Sequence, residues 1–383
     1  MTSSFPTAAL DAEHQATLAF LAVRGVGPAT CGALREQFGS LAAALAAGPG
    51  AYLKLLRGDA VADHQAQPDL SVRAEQMLRA CERQGATILF RGEASWPARL
   101  QDLGASQPEV LFVRGTLDLA LRTAGVVGTR LPTPTGLRAA ESLGQVLGES
   151  GHVTVSGGAA GVDTAAHLGS LTARGVTWAV LGAGFLHPFP KGNVGLFERI
   201  AEHGALITEF PPEHEVKEGN FHRRNKLVAA LSEALVVVEG DTSSGAMITA
   251  RDAIGLGRPL LAVPGDVLAK QAQGPNQLLR QGKARPCWES RDILGALGDP
   301  RAQRVDGAWG AGAGPTAPRA IEQPLDKELE PIFRALGPAP RHFDELAGSI
   351  RVSVPALASA LTQLELLGLC EQRPGKFFVR RSG

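Results

Sequence analysis

Residues 152–182, HVTVSGGAAGVDTAAHLGSLTARGVTWAVLG, hold one complete structural repeat. An apolar, β-like run (152–156) leads into a turn of small residues. A helical stretch (162–173) follows, then a second apolar run (177–182). Strand, helix and strand in that order, with strands apolar along their whole length, is the unit of a parallel sheet covered on both faces. The alternation continues on either side. Further β-like runs lie at 86–90, 109–113, 124–128, 205–210, 234–240 and 259–265, and helical stretches at 136–149, 192–203, 222–233 and 245–255. The pattern predicts an α/β fold, an extended Rossmann-like and mostly parallel sheet over residues 84–298.

The flanks differ in kind. Residues 1–83 are rich in Ala and Leu and read as all-helical. Gly25-Val26-Gly27 separates two helical patterns, and Pro28 suits a first helical turn, a layout like a helix-hairpin-helix. Such a turn contacts duplex DNA through backbone amides, or serves only as a bend in a small bundle. Residues 299–324 combine Gly, Ala, Pro and polar residues without periodicity and read as a flexible linker. In residues 325–383, three helical stretches and a strand–Pro-Gly–strand ending predict a winged helix. Its recognition helix, 353–367, carries no Lys or Arg. A contact or regulatory module is therefore expected there, rather than a reader of base sequence.

Formal net charge is zero over 383 residues, so a polyanion would have to be held by a local basic patch. Cys31, Cys81, Cys287 and Cys370 are far apart and show no ligand spacing, so neither a disulfide framework nor a zinc site is expected. The first residues lack a signal-peptide layout, and no apolar run approaches a membrane span. A cytoplasmic protein without a membrane partner is the expectation.

Ligands of open parallel sheets bind beyond the carboxyl ends of the strands. Along that edge stand Gly128-Thr129-Arg130, Ser156-Gly157-Gly158, Gly182-Ala183-Gly184, Glu209-Phe210 and Glu239-Gly240-Asp241. Arg130, Lys191 and the 221–226 stretch FHRRNK bring cations to the rim, and Phe185, Phe189, Phe210 and Phe221 bring aromatic faces. Cations for phosphates and rings for bases are what single-strand binding requires. No GxGxxG stands at a strand-to-helix turn with the required spacing, and no Walker lysine motif is present, so no dinucleotide or P-loop cofactor is expected. Asp163 and His167, one helical turn apart, read as supports of the helix behind the loop, with His167 bonded inside that helix. The rim carboxylates Glu209, Glu239 and Asp241 could meet at a metal, or pair with the arginines instead.

The ordered motifs VVGTR, VSGGAAGVDTAAH, VLGAGFLHPFPKGN, LITEFPP, FHRRNKLVAALSEALVVVEGDTSSGAMITARDA, AVPG and GPNQLLRQGKA resemble the DNA-processing protein A family (DprA, or Smf). The resemblance implies a non-enzymatic, homodimeric protein with an N-terminal SAM/helix-hairpin-helix-like domain. Such proteins protect incoming single-stranded DNA in natural transformation and homologous recombination, and load the RecA recombinase past single-strand-binding protein. Carried onto this chain, it implies DNA contacts at Arg130, Ser156, Gly157, Gly158, Phe189, Lys191, Arg223, Arg224 and Asn225, with no cofactor and no metal. Gly158, Phe189 and His222 depart from the usual Leu, Tyr and Pro of the family. A nucleoside-monophosphate phosphoribohydrolase-like enzyme, with Glu239 as acid or base, is the alternative.

Overall fold

The computed structural model describes residues 10–303, 329–337, 341–350, 353, 356–358, 360–361, 364, 369–373 and 377–380. The chain divides into two compact units, Met1–Trp309 and Gly310–Gly383.

The first unit begins with six helices: α1 (Ala12–Leu21), α2 (Pro28–Phe38), α3 (Leu41–Ala46), α4 (Pro49–Tyr52), α5 (Asp59–Ala66) and α6 (Leu70–Arg83). Asp11, Ser40 and Asp69 cap α1, α3 and α6 by accepting backbone N–H bonds. Leu18, Phe20, Leu34, Leu41, Tyr52 and Met77 form their shared core. The Gly25–Gly27 turn joins α1 to α2, and Pro28 occupies the first turn of α2, where its missing N–H costs nothing.

The sheet has nine strands: β1 (Ala86–Phe90), β2 (Val110–Gly115), β3 (Thr123–Val127), β4 (Val153–Ser156), β5 (Thr177–Val180), β6 (Ala205–Thr208), β7 (Ala234–Val237), β8 (Leu260–Ala262) and β9 (Arg285–Pro286). Their order is β1-β2-β6-β5-β4-β3-β7-β8-β9. From β3 to β9 all neighbours are parallel, while β2 runs antiparallel to both β1 and β6. The chain steps outward from β3 through β4 and β5 to β6, then returns to lay β7 on the other side of β3. The winding thus reverses between β3 and β7, and the carboxyl ends of the strands beside that switch are where such sheets bind ligands.

The returning segments are α7 (Pro134–Glu149), α8 (Val162–Thr172), α9 (Val194–His203), α10 (Glu218–Leu231) and α11 (Gly245–Gly255). Ala124 and Val126 of β3 pack with α7 and α8 on one face, and Val127, Val155, Trp178 and Val237 pack with α10 and α11 on the other. Every residue of β3 to β8 is buried, which is why these strands read as unbroken apolar runs. Each fully buried Val or Leu contributes about 1.5–3 kcal/mol. Along α7 and α8 the backbones touch. A Cβ on Gly144 would lie 2.0 Å from the Ala166 carbonyl oxygen, and one on Gly169 2.0 Å from that of Glu141.

Three features depart from the sequence reading. Helix α10 starts at Glu218 rather than 222, β2 is antiparallel, and the short edge strand β9 joins the sheet after α12 (Gln273–Arg280). The first residues of the expected linker are docked on this unit after α13 (Asp292–Ala296). Asp299 is buried, with His152 Nε2 2.6 Å from its Oδ2, and Arg301 pairs with the same carboxylate. Arg301 holds the Asp299 carboxyl below the usual carboxylate range, and His152 adds to this. Residues 304–324 lie outside the described residues.

The second unit holds α14 (Glu330–Ala335), α15 (Phe343–Ser349) and a sheet of β10 (Arg341–His342), β11 (Cys370–Arg373) and β12 (Phe377–Arg380), ordered β10-β12-β11. The antiparallel pair β11–β12 is the wing hairpin of a winged helix. Leu329, Ile332, Leu346, Leu357, Leu361, Leu364 and Phe378 form the core. The expected recognition helix lies partly outside the described residues, as do Lys376 and Arg381 of the hairpin.

Candidate nucleic-acid interface

At the carboxyl ends of β3, β4 and β5 lies a pocket of about 140 Å³, lined by Arg130, Gly157, Ala159, Ala160, Gly182, Phe189, Pro190, Phe221 and Arg224. Arg130 is exposed, and its guanidinium carbon stands 5.1 Å from the Phe221 ring centroid. Arg224 approaches the same ring at 5.8 Å, and Phe189 lies 5.7 Å from it, centroid to centroid. Gly182 makes room for this ring, since a Cβ there would sit 3.1 Å from Phe221 Cδ1.

Arg224 is 5% exposed. Its Nη1 donates to the Val180 carbonyl at 3.4 Å and lies 3.8 Å from Asp163 Oδ2, while its buried Nε has no partner among the described residues. The guanidinium therefore walls the pocket with donor capacity to spare. Asp163 also accepts the backbone N–H groups of Gly157 (3.2 Å) and Ala159 (3.3 Å). One carboxylate thus holds both the turn and the cation. Burial raises the Asp163 carboxyl above its ordinary value and pulls Arg224 below its own, and each charge opposes the shift of the other.

The residues singled out from sequence separate into groups. Arg130, Gly157, Phe189 and Arg224 meet at the pocket. Ser156 is fully buried, and its hydroxyl donates to the Val126 carbonyl at 2.6 Å; it does not face the pocket as the sequence reading had it. Gly158 is buried too, with φ +68°, a left-handed conformation that a Leu would adopt only under strain, and an added Cβ would stand 2.8 Å from Phe197. Lys191 is exposed just outside the pocket and makes no ion pair among the described residues. Its 3-10 turn, Lys191–Asn193, is fixed by Asn193, whose Nδ2 donates to the Gly158 carbonyl at 3.0 Å and to Thr164 Oγ1 at 2.8 Å. Arg223 points away from Arg224. It pairs with the buried carboxylate of Glu209 and lies 4.9 Å from the Phe210 ring centroid. Asn225 ties α10 to α11, donating to the Gly245 carbonyl at 3.3 Å.

His167 bonds across to β5 rather than inside its own helix. The Thr177 hydroxyl donates to the Thr154 carbonyl at 2.8 Å, so the His167 Nδ1–H donates to Thr177 Oγ1 at 2.7 Å. Burial, then the charge of Arg224, depress the His167 pKa from 6.5 to about 3, so the ring is a neutral core group. Glu239 accepts from the Thr133 backbone N–H (2.8 Å) and hydroxyl (2.6 Å), and is occupied at the start of α7. Asp241 accepts from Ser243 and faces Lys270. Among the described residues, no three His, Cys, Asp or Glu side chains gather as a metal site needs. All four cysteines are buried, and burial pushes the thiols of Cys31 and Cys81 up to about 12. A roomier cleft of about 750 Å³ lies between α1, α2 and the end of β1, but its Arg35 and Arg91 are committed to the buried Glu109, at 2.7 and 3.5 Å.

Phe221, Ala159, Ala160, Gly182 and Pro190 complete the pocket and stood outside the residues singled out as contacts. Phe221 carried a signal, as the aromatic at the head of FHRRNK.

A mostly parallel, doubly wound sheet with a cation- and ring-walled pocket at its strand ends defines a Rossmann-type protein. Residues 87–298 match the family described as DNA recombination-mediator protein A, and residues 315–376 match the DprA winged helix domain. The chain belongs to the DprA family. It is 36% identical over 233 residues to the DNA processing protein DprA of Bacillus subtilis, covering 60% of this chain and 78% of that one. The crystal structure of DNA processing protein A from Streptococcus pneumoniae superposes with a TM-score of 0.61 at 26% identity, covering 75% of this chain and 98% of that one. DNA processing protein A of Helicobacter pylori, described for its single-stranded DNA binding mode, superposes with a TM-score of 0.51 at 28% identity, covering 55% of this chain and 95% of that one. Among the described residues, no helix is long and apolar enough to cross a membrane.

Proposed function

We propose that this chain binds single-stranded DNA at the carboxyl edge of its sheet without catalysing a reaction. The observation that carries the reading is Arg224, a buried and under-paired guanidinium, walling a pocket whose mouth is flanked by Arg130 and the Phe189 and Phe221 rings. Phosphates fit the cations and bases fit the rings. Arg130, Gly157, Phe189 and Arg224 form the contact floor, and Lys191 extends it. The Gly158 turn, Arg223 and Asn225 act from behind by fixing the loop and α10. Family membership and the Helicobacter pylori relative support the choice of ligand. On the same family ground, the protein acts as a cytoplasmic homodimer. It shields incoming single strands in natural transformation and recombination, and hands them to RecA in place of single-strand-binding protein. Glu239 gives no support to a phosphoribohydrolase, because both its oxygens already accept hydrogen bonds from Thr133.

The test is titration of single-stranded and duplex DNA across salt concentrations. Arg130→Ala and Lys191→Ala should each weaken single-strand binding and reduce the slope of log K against log salt by about 0.7. Wild-type affinity and slope in the folded double variant would overturn the assignment.

A further inference from the structure

Leu131, next to Arg130, is 80% exposed. A lone exposed Leu is ordinary. This one stands on a loop fixed at both ends. The Thr129 N–H donates to the Glu239 carbonyl at 2.7 Å, and the Thr129 carbonyl accepts from Val162 at 3.2 Å. The Leu131 N–H donates to Thr129 Oγ1 at 3.2 Å. Two residues on, Thr133 is bound through its N–H and hydroxyl to the Glu239 carboxylate. The loop also lies against Gly161, where a Cβ would be 2.5 Å from the Thr129 oxygen and 2.8 Å from the Arg130 carbonyl carbon. Leu131 is therefore held out into solvent by an ordered backbone.

Its position matters as much as its exposure. Leu131 follows β3, Phe189 (43% exposed) follows β5, and the Ala159-Ala160 turn of the pocket follows β4, which lies between those strands. An exposed ring thus lines a pocket that already holds Arg130 and Arg224, and an exposed leucine follows Arg130 directly in the chain. Charge selects the occupant of this patch. An apolar group beside unneutralised guanidinium suits a ligand that is anionic along one edge and flat and apolar along the other.

We propose that Leu131 is a base-contacting residue that inserts against unstacked nucleobases while Arg130 holds the adjoining phosphate, so that Leu131 favours single strands over duplex. Apolar side chains can wedge between the base steps of a duplex only at the cost of unstacking them, a cost that an already unstacked single strand does not carry. In a duplex the base faces are stacked away, and only the phosphate contact remains. The inference rests on the single-strand reading and adds to it a residue for selectivity that carries no charge.

Leu131→Ser and Leu131→Met are compared with wild type and Arg130→Ala, using a short fluorescent oligothymidylate and a blunt duplex across salt concentrations. Leu131 packs against little, so both variants should fold. Leu131→Ser should bind the oligothymidylate about tenfold more weakly, the scale of a partly buried Leu. Its salt slope and its duplex affinity should stay at wild-type values, and Leu131→Met should retain most of the affinity. Undiminished oligothymidylate binding by Leu131→Ser, with Arg130→Ala weakened, overturns this inference and leaves the single-strand reading intact. Wild-type protein with no preference for the single strand overturns both.

Discussion

Replacing Asp163 by Asn tests whether one carboxylate organises the floor of the site. The side chain keeps its shape but loses its charge. Arg224, 5% exposed, would then face no anion, and its nearest acceptor would be the Val180 carbonyl at 3.4 Å. Removing one partner of a buried ion pair costs about 3–5 kcal/mol, because the other charge is left uncompensated. The 3.8 Å separation here favours the low end of that range. The amides of Gly157 and Ala159 both donate to Oδ2, so an Asn that places its one oxygen there keeps these bonds and the loss stays with the ion pair. A loss of about 3 kcal/mol lowers the melting temperature by roughly 6–12 °C in a domain of this size. The assay is thermal denaturation of Asp163→Asn, Arg224→Met and the double variant, each with and without oligothymidylate. The double variant should be more stable than Asp163→Asn alone, because it buries no orphan charge. Oligothymidylate should stabilise Asp163→Asn more than wild type, its phosphate taking the place of the lost carboxylate. Additive losses in the cycle would refute the pairing.

Two further outcomes follow from buried groups. Ser156→Ala should leave single-strand affinity unchanged and cost about 1 kcal/mol of stability, because the hydroxyl is spent on the Val126 carbonyl; a large affinity loss, measured by the same titration, would place that hydroxyl at the ligand. His167 has a folded pKa far below its unfolded value, so the unfolded chain binds the proton more readily. Its contribution is present above pH 6.5 and is lost as pH falls towards about 3. Across that window wild type should lose stability faster than His167→Gln, by up to about 1.4 kcal/mol per pH unit, and parallel denaturant midpoints would refute this.

The parallel strands were legible because burial on both faces leaves no polar alternation to confuse the pattern. Strand β9 was not, since two exposed residues carry no period, and its pairing with β8 depends on the chain returning from α12. The start of α10 was missed because Glu218, Gly219 and Asn220 show no apolar repeat. Adjacent residues on a helix differ by about 100° in direction, so Arg223 and Arg224 could not both reach one ligand. Which of them turned inward depended on how α10 lies against β5 and the Gly157 turn. Ser156 shows the same limit at the end of a strand: its residue type suggested a contact, and its direction was set by the carbonyl of a neighbouring strand.

The backbone seam between α7 and α8 reaches the site from a distance. The loop that presents Arg130 and Leu131 runs into α7, and the turn that holds Gly157 and Ala159 runs into α8. With Gly144 and Gly169 allowing the two helices to touch along their length, lip and floor are carried on a single stiff support. On the proposed function, a strand would meet a mould already cast, with little ordering of protein to oppose its entry. A methyl group added at Gly144 would wedge that support apart and change the shape of the mould without touching a nucleotide.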